Sequence, residues 1–160
     1  NGSISGTSPQ TVNYSGNGTP VTAVPNTGYH FVQWSDASTA NPRTDTNVTG
    51  NITVQASFAI NTYTLTYTAG SNGSISGTSP QTVELNGNGT PVEAVPDPCY
   101  HFVQWSDTST ANPRPDTNVI IDINVTASFA INTYTVNASV SGGGGTVSPA
   151  TQTVNSGSRW

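Results

Sequence analysis

Apolar and polar residues alternate along most of this chain with period two, the spacing of a strand buried on one face. Ile52, Val54, Ala56, Phe58 and Ile60 alternate with Asn51, Thr53, Gln55 and Ser57, and Ile123, Val125, Ala127, Phe129 and Ile131 repeat the pattern. Tyr63, Leu65 and Tyr67 then alternate with Thr62, Thr64, Thr66 and Thr68. Apolar parity changes from even to odd numbers across Asn61-Thr62. A strand cannot turn its core face over without a bulge or turn, so a unit boundary is predicted near Asn61 and another near Asn132. Shorter strands are predicted at Ser3–Ser5, Gln10–Tyr14 and Thr19–Val24, with Asn-Gly turns at Asn17-Gly18 and Asn88-Gly89. In Tyr29–Trp34 strict alternation places Tyr29 and Phe31 on one face and His30, Val32 and Trp34 on the other. No window carries a helical period with caps, so no long helix is expected.

The chain repeats itself. Tyr29-His-Phe-Val-Gln-Trp-Ser-Asp36 returns as Tyr100 to Asp107, with Gly28 before the first copy replaced by Cys99 before the second. Asn1 to Val12 returns at Asn72 to Val83, and Ile60 to Thr64 at Ile131 to Thr135, all displaced by 71 positions. This period exceeds that of solenoid repeats, so each unit is expected to hold its own small core. The expected organisation is a first unit over 1–60 without its first strand, a complete second unit over 61–131, and a partial third over 132–160 with that strand and a hairpin. The expected core is Tyr29, Phe31, Trp34, Phe58 and Tyr63, with Tyr100, Phe102, Trp105, Phe129 and Tyr134 as their copies.

Composition narrows the partners. Charged residues make up 7% of the 160, the net charge is -5, and the three cations are all arginines. Nothing here releases counterions from a phosphate backbone on any scale, which argues against nucleic acid. No apolar run reaches the ~20 residues of a membrane-spanning helix. A lone cysteine allows no intramolecular disulfide; Cys99 is expected to be a small buried residue, or else an intermolecular bridge. Without lysine, Lys–Asn isopeptide staples are excluded. A start at Asn1 rather than at methionine is read as a processed product or an excerpt. Richness in Thr, Ser, Asn and Gly suggests an extracellular β-protein.

The residues that could carry chemistry all have structural readings beside the functional ones. His30 and His101 accompany Ser35-Asp36 and Ser106-Asp107. No nucleophile elbow accompanies either set, and the expectation is a hydrogen-bonded structural histidine, no catalytic residue and no cofactor. Trp34 and Trp105 read as core, with sugar stacking as the alternative. Asp36, Asn41, Asp45 and Asn47 offer oxygens of the kind calcium prefers. Ion pairing of Arg43 with Asp36 or Asp45, and of Arg114 with Asp107 or Asp116, is the reading preferred. An exposed pair of that kind is worth about 0–1 kcal/mol. Asn13, Asn17, Asn47, Asn51, Asn88, Asn124 and Asn137 stand in sequons for glycosylation.

Gly28, Tyr29, Phe31, Trp34, Ser35 and Asp36, followed by Asn51, Ile52, Val54, Ala56 and Phe58, form a pattern that resembles the divergent internalin B-repeat family, related to the Listeria–Bacteroides repeat. Tyr100, Phe102, Trp105, Ser106, Asp107, Ile123, Val125, Ala127 and Phe129 carry it again. The resemblance implies small β-grasp-like sheets, in tandem within secreted or surface-anchored prokaryotic proteins, serving as spacers or adhesive modules. It implies no catalytic residue. The combined expectation is an all-β fold of tandem small sheet units, β-grasp-like or sandwich-like. Its function would be structural, in an extracellular stalk, adhesin or filament. The partners would be neighbouring repeats, or further copies joined head-to-tail through the surplus strand Thr133–Val140; a glycan-binding module is the alternative.

Overall fold

The computed structural model describes residues 1–157; Ser158, Arg159 and Trp160, the end of the expected partial third unit, lie outside the described residues. Among the described residues there is no helix. The strands are β1 (Gly2–Ser5), β2 (Thr22–Pro25), β3 (Tyr29–Trp34), β4 (Ala56–Ile60), β5 (Thr62–Ala69), β6 (Gly73–Ser76), β7 (Gln81–Glu84), β8 (Glu93–Pro96), β9 (Tyr100–Trp105), β10 (Ile123–Ile131), β11 (Thr133–Asn137) and β12 (Thr151–Asn155). They fall into two compact units, the first ending at Thr62 and the second beginning at Tyr63. The fold is all-β, built of small sheets in tandem, as the alternation predicts.

The second unit holds a four-stranded sheet in the order β7-β5-β10-β9 and a two-stranded sheet of β6 and β8. β5 runs parallel to β10, with Leu65 opposite Ile123 and Tyr67 opposite Val125; β9 closes the other side of β10 antiparallel. The core draws on both sheets: Leu65, Tyr67, Val92, Ala94, Trp105, Val119, Val125 and Ala127 are buried together, with Tyr63, Phe102 and Phe129 packed against them. Gly73 has no side chain because the ring of Phe129 occupies that space, and Gly2 faces Phe58 in the same way.

In the first unit β1 pairs with β2 and β3 with β4, but two expected strands are missing. Gln10–Tyr14 forms no strand, and the run predicted from Ile52 is a strand only from Ala56 onward. The corresponding segments of the second unit, which keep the same apolar alternation, form β7 and the first half of β10. The difference is β5, which lies between those two segments and hydrogen-bonds to both. Without such a strand between them, residues 10–14 and 51–55 have no ladder partner. Burial follows: Ile52 is 50% exposed, whereas Leu65, Ala127 and Trp105 are at 0%.

Three further expectations are corrected. Strict alternation fails in Tyr29–Trp34 because Val32 is an extra residue in the pairing of β3 with β4; Val103 plays that part in β9. A bulge of this kind re-aims the side chains beyond it. Trp34 therefore shares the inner face with Phe31, at 5.7 Å between ring centroids, and His30 is exposed. Cys99 is exposed rather than buried, in the left-handed conformation at φ 73° that Gly28 occupies at 83° in the first copy. Tyr134 is not core: it is 58% exposed, on a hairpin of β11 and β12 that no second layer covers among the described residues. The other nine expected core aromatics are buried or half-buried.

Because Leu65 is enclosed on the central strand, Leu65→Ala is expected to cost the second unit about 2–5 kcal/mol, through lost transfer energy plus a cavity. Ile52→Ala, at the open position of the first unit, is expected to cost under about 1 kcal/mol. Denaturant unfolding followed by NMR at the Trp34 and Trp105 indole signals, one for each unit, measures both.

Candidate functional site

Each unit places its tryptophan, its internal arginine and two aspartates in one cluster. The segment after the signature strand turns back so that Trp34 Nε1–H donates to the Ala40 carbonyl at 2.8 Å, and Trp105 does the same to Ala111 at 2.9 Å. Asn41 then clips both backbone groups of Ala23 at 2.8 and 2.9 Å, and Asn112 those of Ala94 at 2.8 Å. These bonds bring the arginine over the indole, at 5.6 Å for Arg43 on Trp34 and 5.5 Å for Arg114 on Trp105, within cation–π range.

Both aspartates reach each arginine. Arg43 donates to Asp36 at 2.7 Å and, through Nε and Nη2, to Asp45 at 3.0 and 2.6 Å. Arg114 donates to Asp107 at 2.9 Å and bidentately to Asp116 at 2.7 and 2.8 Å. Sequence offered one partner or the other and an exposed pair. The guanidinium is in fact buried, with side-chain exposures of 9% for Arg43 and 7% for Arg114. Hydrogen bonding to Arg43 holds the Asp36 carboxyl below the ordinary aspartate value, and Arg114 does this to Asp107. The bonds to Asp45 and Asp116 raise the two arginines further against the cost of burial. Arrangements like this fix the loop on the core; they leave the aspartates little freedom to hold a cation.

The remaining candidates are not drawn into one place. His30 Nδ1 sits 3.1 Å from Asn61 Oδ1, and His101 Nδ1 2.8 Å from Asn132 Oδ1, both exposed and bonded to the end of the next strand. Ser35 and Ser106 instead bond the backbone of Gln55 and Thr126. Asn47 is held through its N–H by Asn17, and Asn118 by Asn88. The sequon residues Asn13, Asn17, Asn47, Asn51, Asn88, Asn124 and Asn137 are all exposed. Trp34 at 2% and Trp105 at 0% exposure present no ring face on which a sugar could stack.

A groove of about 750 Å³ in the first unit lies where the second unit carries β5. Ser8, Gln10, Val12, Gly18, Trp34, Asp45, Asn51, Ile52 and Val54 are on its walls. In the second unit Tyr67 stands in the corresponding space. Its ring meets Trp105 edge-on at 6.0 Å, its hydroxyl donates to Asp116 at 2.8 Å, and its N–H donates to the Ser79 hydroxyl at 2.7 Å. Burial and then the bond to Asp116 push the Tyr67 hydroxyl well above the ordinary tyrosine range. Tyr67 escaped the sequence-derived core set, although its odd-numbered place after Tyr63 and Leu65 was the signal for it.

Arg114→Leu is expected to destabilise the second unit by about 3–5 kcal/mol, since it strands Asp116 without its cation. Arg43→Leu is expected to cost less, because the Asp45 side chain is 31% exposed against 11% for Asp116. Chemical denaturation of each variant checks this order. The depressed carboxyls of Asp36 and Asp107 contribute stability that is full above the ordinary aspartate value of 3.8 and lost as pH falls through their lowered values. Melting temperature is therefore expected to hold from pH 7 to about pH 4 and to fall below it, with less of a fall in an Asp36→Asn/Asp107→Asn variant. Scanning calorimetry from pH 7 to pH 2 reads both.

No curated protein and no solved structure matches this chain. The family model of the divergent InlB B-repeat domain matches it twice, over residues 1–62 and 63–133. Those segments carry the bulged Tyr-x-Phe-x-x-Trp strand, the arginine clamp and the closing Ala-Ser-Phe strand described above. With both copies matched, the chain belongs to the divergent InlB B-repeat domain family, a repeat family of bacterial surface proteins.

Proposed function

We propose that this chain is a structural repeat module of an extracellular surface protein or filament, in which a strand from a neighbour completes a unit's sheet. The observation that carries this is the pair of unequal copies. In the second unit β5 fills the space between β7 and β10; in the first the same space is a groove. β11 begins with the sequence that begins β5, since Ile131-Asn-Thr-Tyr-Thr135 copies Ile60 to Thr64. Among the described residues it pairs with β12 alone, in a two-stranded sheet. β-Strand addition of β11 from one copy into the first unit of the next supplies the missing ladder through main-chain bonds. Such a contact is heterologous and leaves a free donor and a free acceptor at the two ends, so it grows an open filament. With charged residues at only 7%, few charges guard the edges against this pairing. The same completion by adjacent repeats of one long chain gives a stalk. The module transmits load and spaces what it carries; no catalytic step and no cofactor belong to this reading.

Sedimentation velocity and electron microscopy across a concentration series test it. The full chain is expected to form concentration-dependent linear oligomers, and a chain ending at Asn132 is expected to remain monomeric. Monomeric full chain at every concentration would defeat the head-to-tail form of the proposal.

A further inference from the structure

The groove of the first unit is lined by more than a free sheet edge. Subtracting the 71-residue displacement maps four of the groups that hold β5 onto residues of its wall. Ser79, which accepts from Tyr67 N–H and donates to the Tyr67 carbonyl at 2.8 Å, maps to Ser8. Asp116, which accepts the Tyr67 hydroxyl, maps to Asp45. Trp105, against which the Tyr67 ring packs, maps to Trp34, and Asp122, which accepts Thr64 N–H at 2.9 Å, maps to Asn51. All four, Ser8, Trp34, Asp45 and Asn51, line the groove.

A glycine marks the second subsite. A Cβ on Gly89 would meet Leu65 Cδ1 at 2.5 Å and Tyr67 Oη at 3.6 Å, so that glycine exists to admit the β5 side chains. At its copy, Gly18, the three nearest atoms belong to Gln10 and Asp45, the closest being Gln10 Oε1 at 3.0 Å. The clearance for a leucine is kept in the first unit, with no leucine in it.

We infer that the groove of the first unit is a sequence-reading acceptor for an extended strand of Leu-x-Tyr chemistry, with a leucine subsite over Gly18 and a tyrosine subsite marked by Asp45, beside the edge of Trp34. The inference rests on the strand-addition reading and adds a side-chain code to it. The occupant runs parallel to residues 52–56, with its leucine opposite Ile52 and its tyrosine opposite Val54, the register of Leu65 on Ile123 and Tyr67 on Val125. Main-chain bonds give such a complex its affinity, and the alternate side chains entering pockets give its specificity. By this code β11 is a weak donor, because Val136 and Ala138 stand where Leu65 and Tyr67 stand in β5. Strands of the β5 type, supplied by other repeats of this family, are the preferred occupant.

The test uses the full 160-residue chain and synthetic peptides, with calorimetry and the Trp34 indole NMR signal as readouts. A peptide of residues 61–70 is expected to bind with a shift of that signal. Its Tyr67→Phe form, which cannot donate to Asp45, is expected to bind about tenfold more weakly. A peptide of residues 132–141 is expected to bind more weakly than either, and its Val136→Leu/Ala138→Tyr form to recover the affinity. Gly18→Ala in the protein is expected to weaken the 61–70 peptide while sparing the fold, as the remaining amide signals would show. Equal binding by all four peptides would overturn the code and leave strand addition standing. Binding by none, together with a monomeric full chain, would overturn both.

Discussion

One strand decides how much of a unit can exist as a sheet. β5 carries backbone groups on both edges and thereby gives ladder partners to two segments that cannot reach each other, the one that becomes β7 and the one that becomes the start of β10. An extended segment in water gains nothing from being extended; a strand is a property of a pair. Where β5 is present four strands form, and the apolar side chains of Leu65 and Tyr67 close the core over Trp105. Where it is absent, Gln10 to Tyr14 and Asn51 to Gln55 run as irregular chain, and Ile4 and Ile52 lie open.

The other half of each unit is held by different means. Arg43 or Arg114 lies on the tryptophan ring with its guanidinium bonded to two carboxylates, while Asn41 or Asn112 and the indole N–H tie the same loop to the neighbouring backbone. Burying a guanidinium is costly unless every donor is met. Here two aspartates and the ring meet it, which converts a polar, proline-broken segment into a lid over the core. A chain with this few aliphatic residues uses the lid in place of a larger apolar interior.

Much of the fold was legible because it repeats local rules. Period-two alternation located β4, β5 and β10, and the switch of parity at Asn61-Thr62 lies at the passage from β4 to β5. The arginine and its aspartates could be named because residues 1–60 and 61–131 each hold one arginine and no lysine. The bulges at Val32 and Val103 were not legible, since one inserted residue changes the face of everything beyond it and leaves no mark in composition. Cys99 was misplaced for a related reason: its identity suggested burial, but its position demands a left-handed backbone at an exposed turn.

The sequence by itself determined that the chain is all-β, that one small sheet unit is written twice, and the family to which both copies belong. These follow from side-chain order, which is local. Tertiary structure alone decided which alternating segments are strands, how deep each arginine lies, and where a groove stands open. Those depend on which backbone edges find partners far along the chain, and corresponding segments met different partners in the two units.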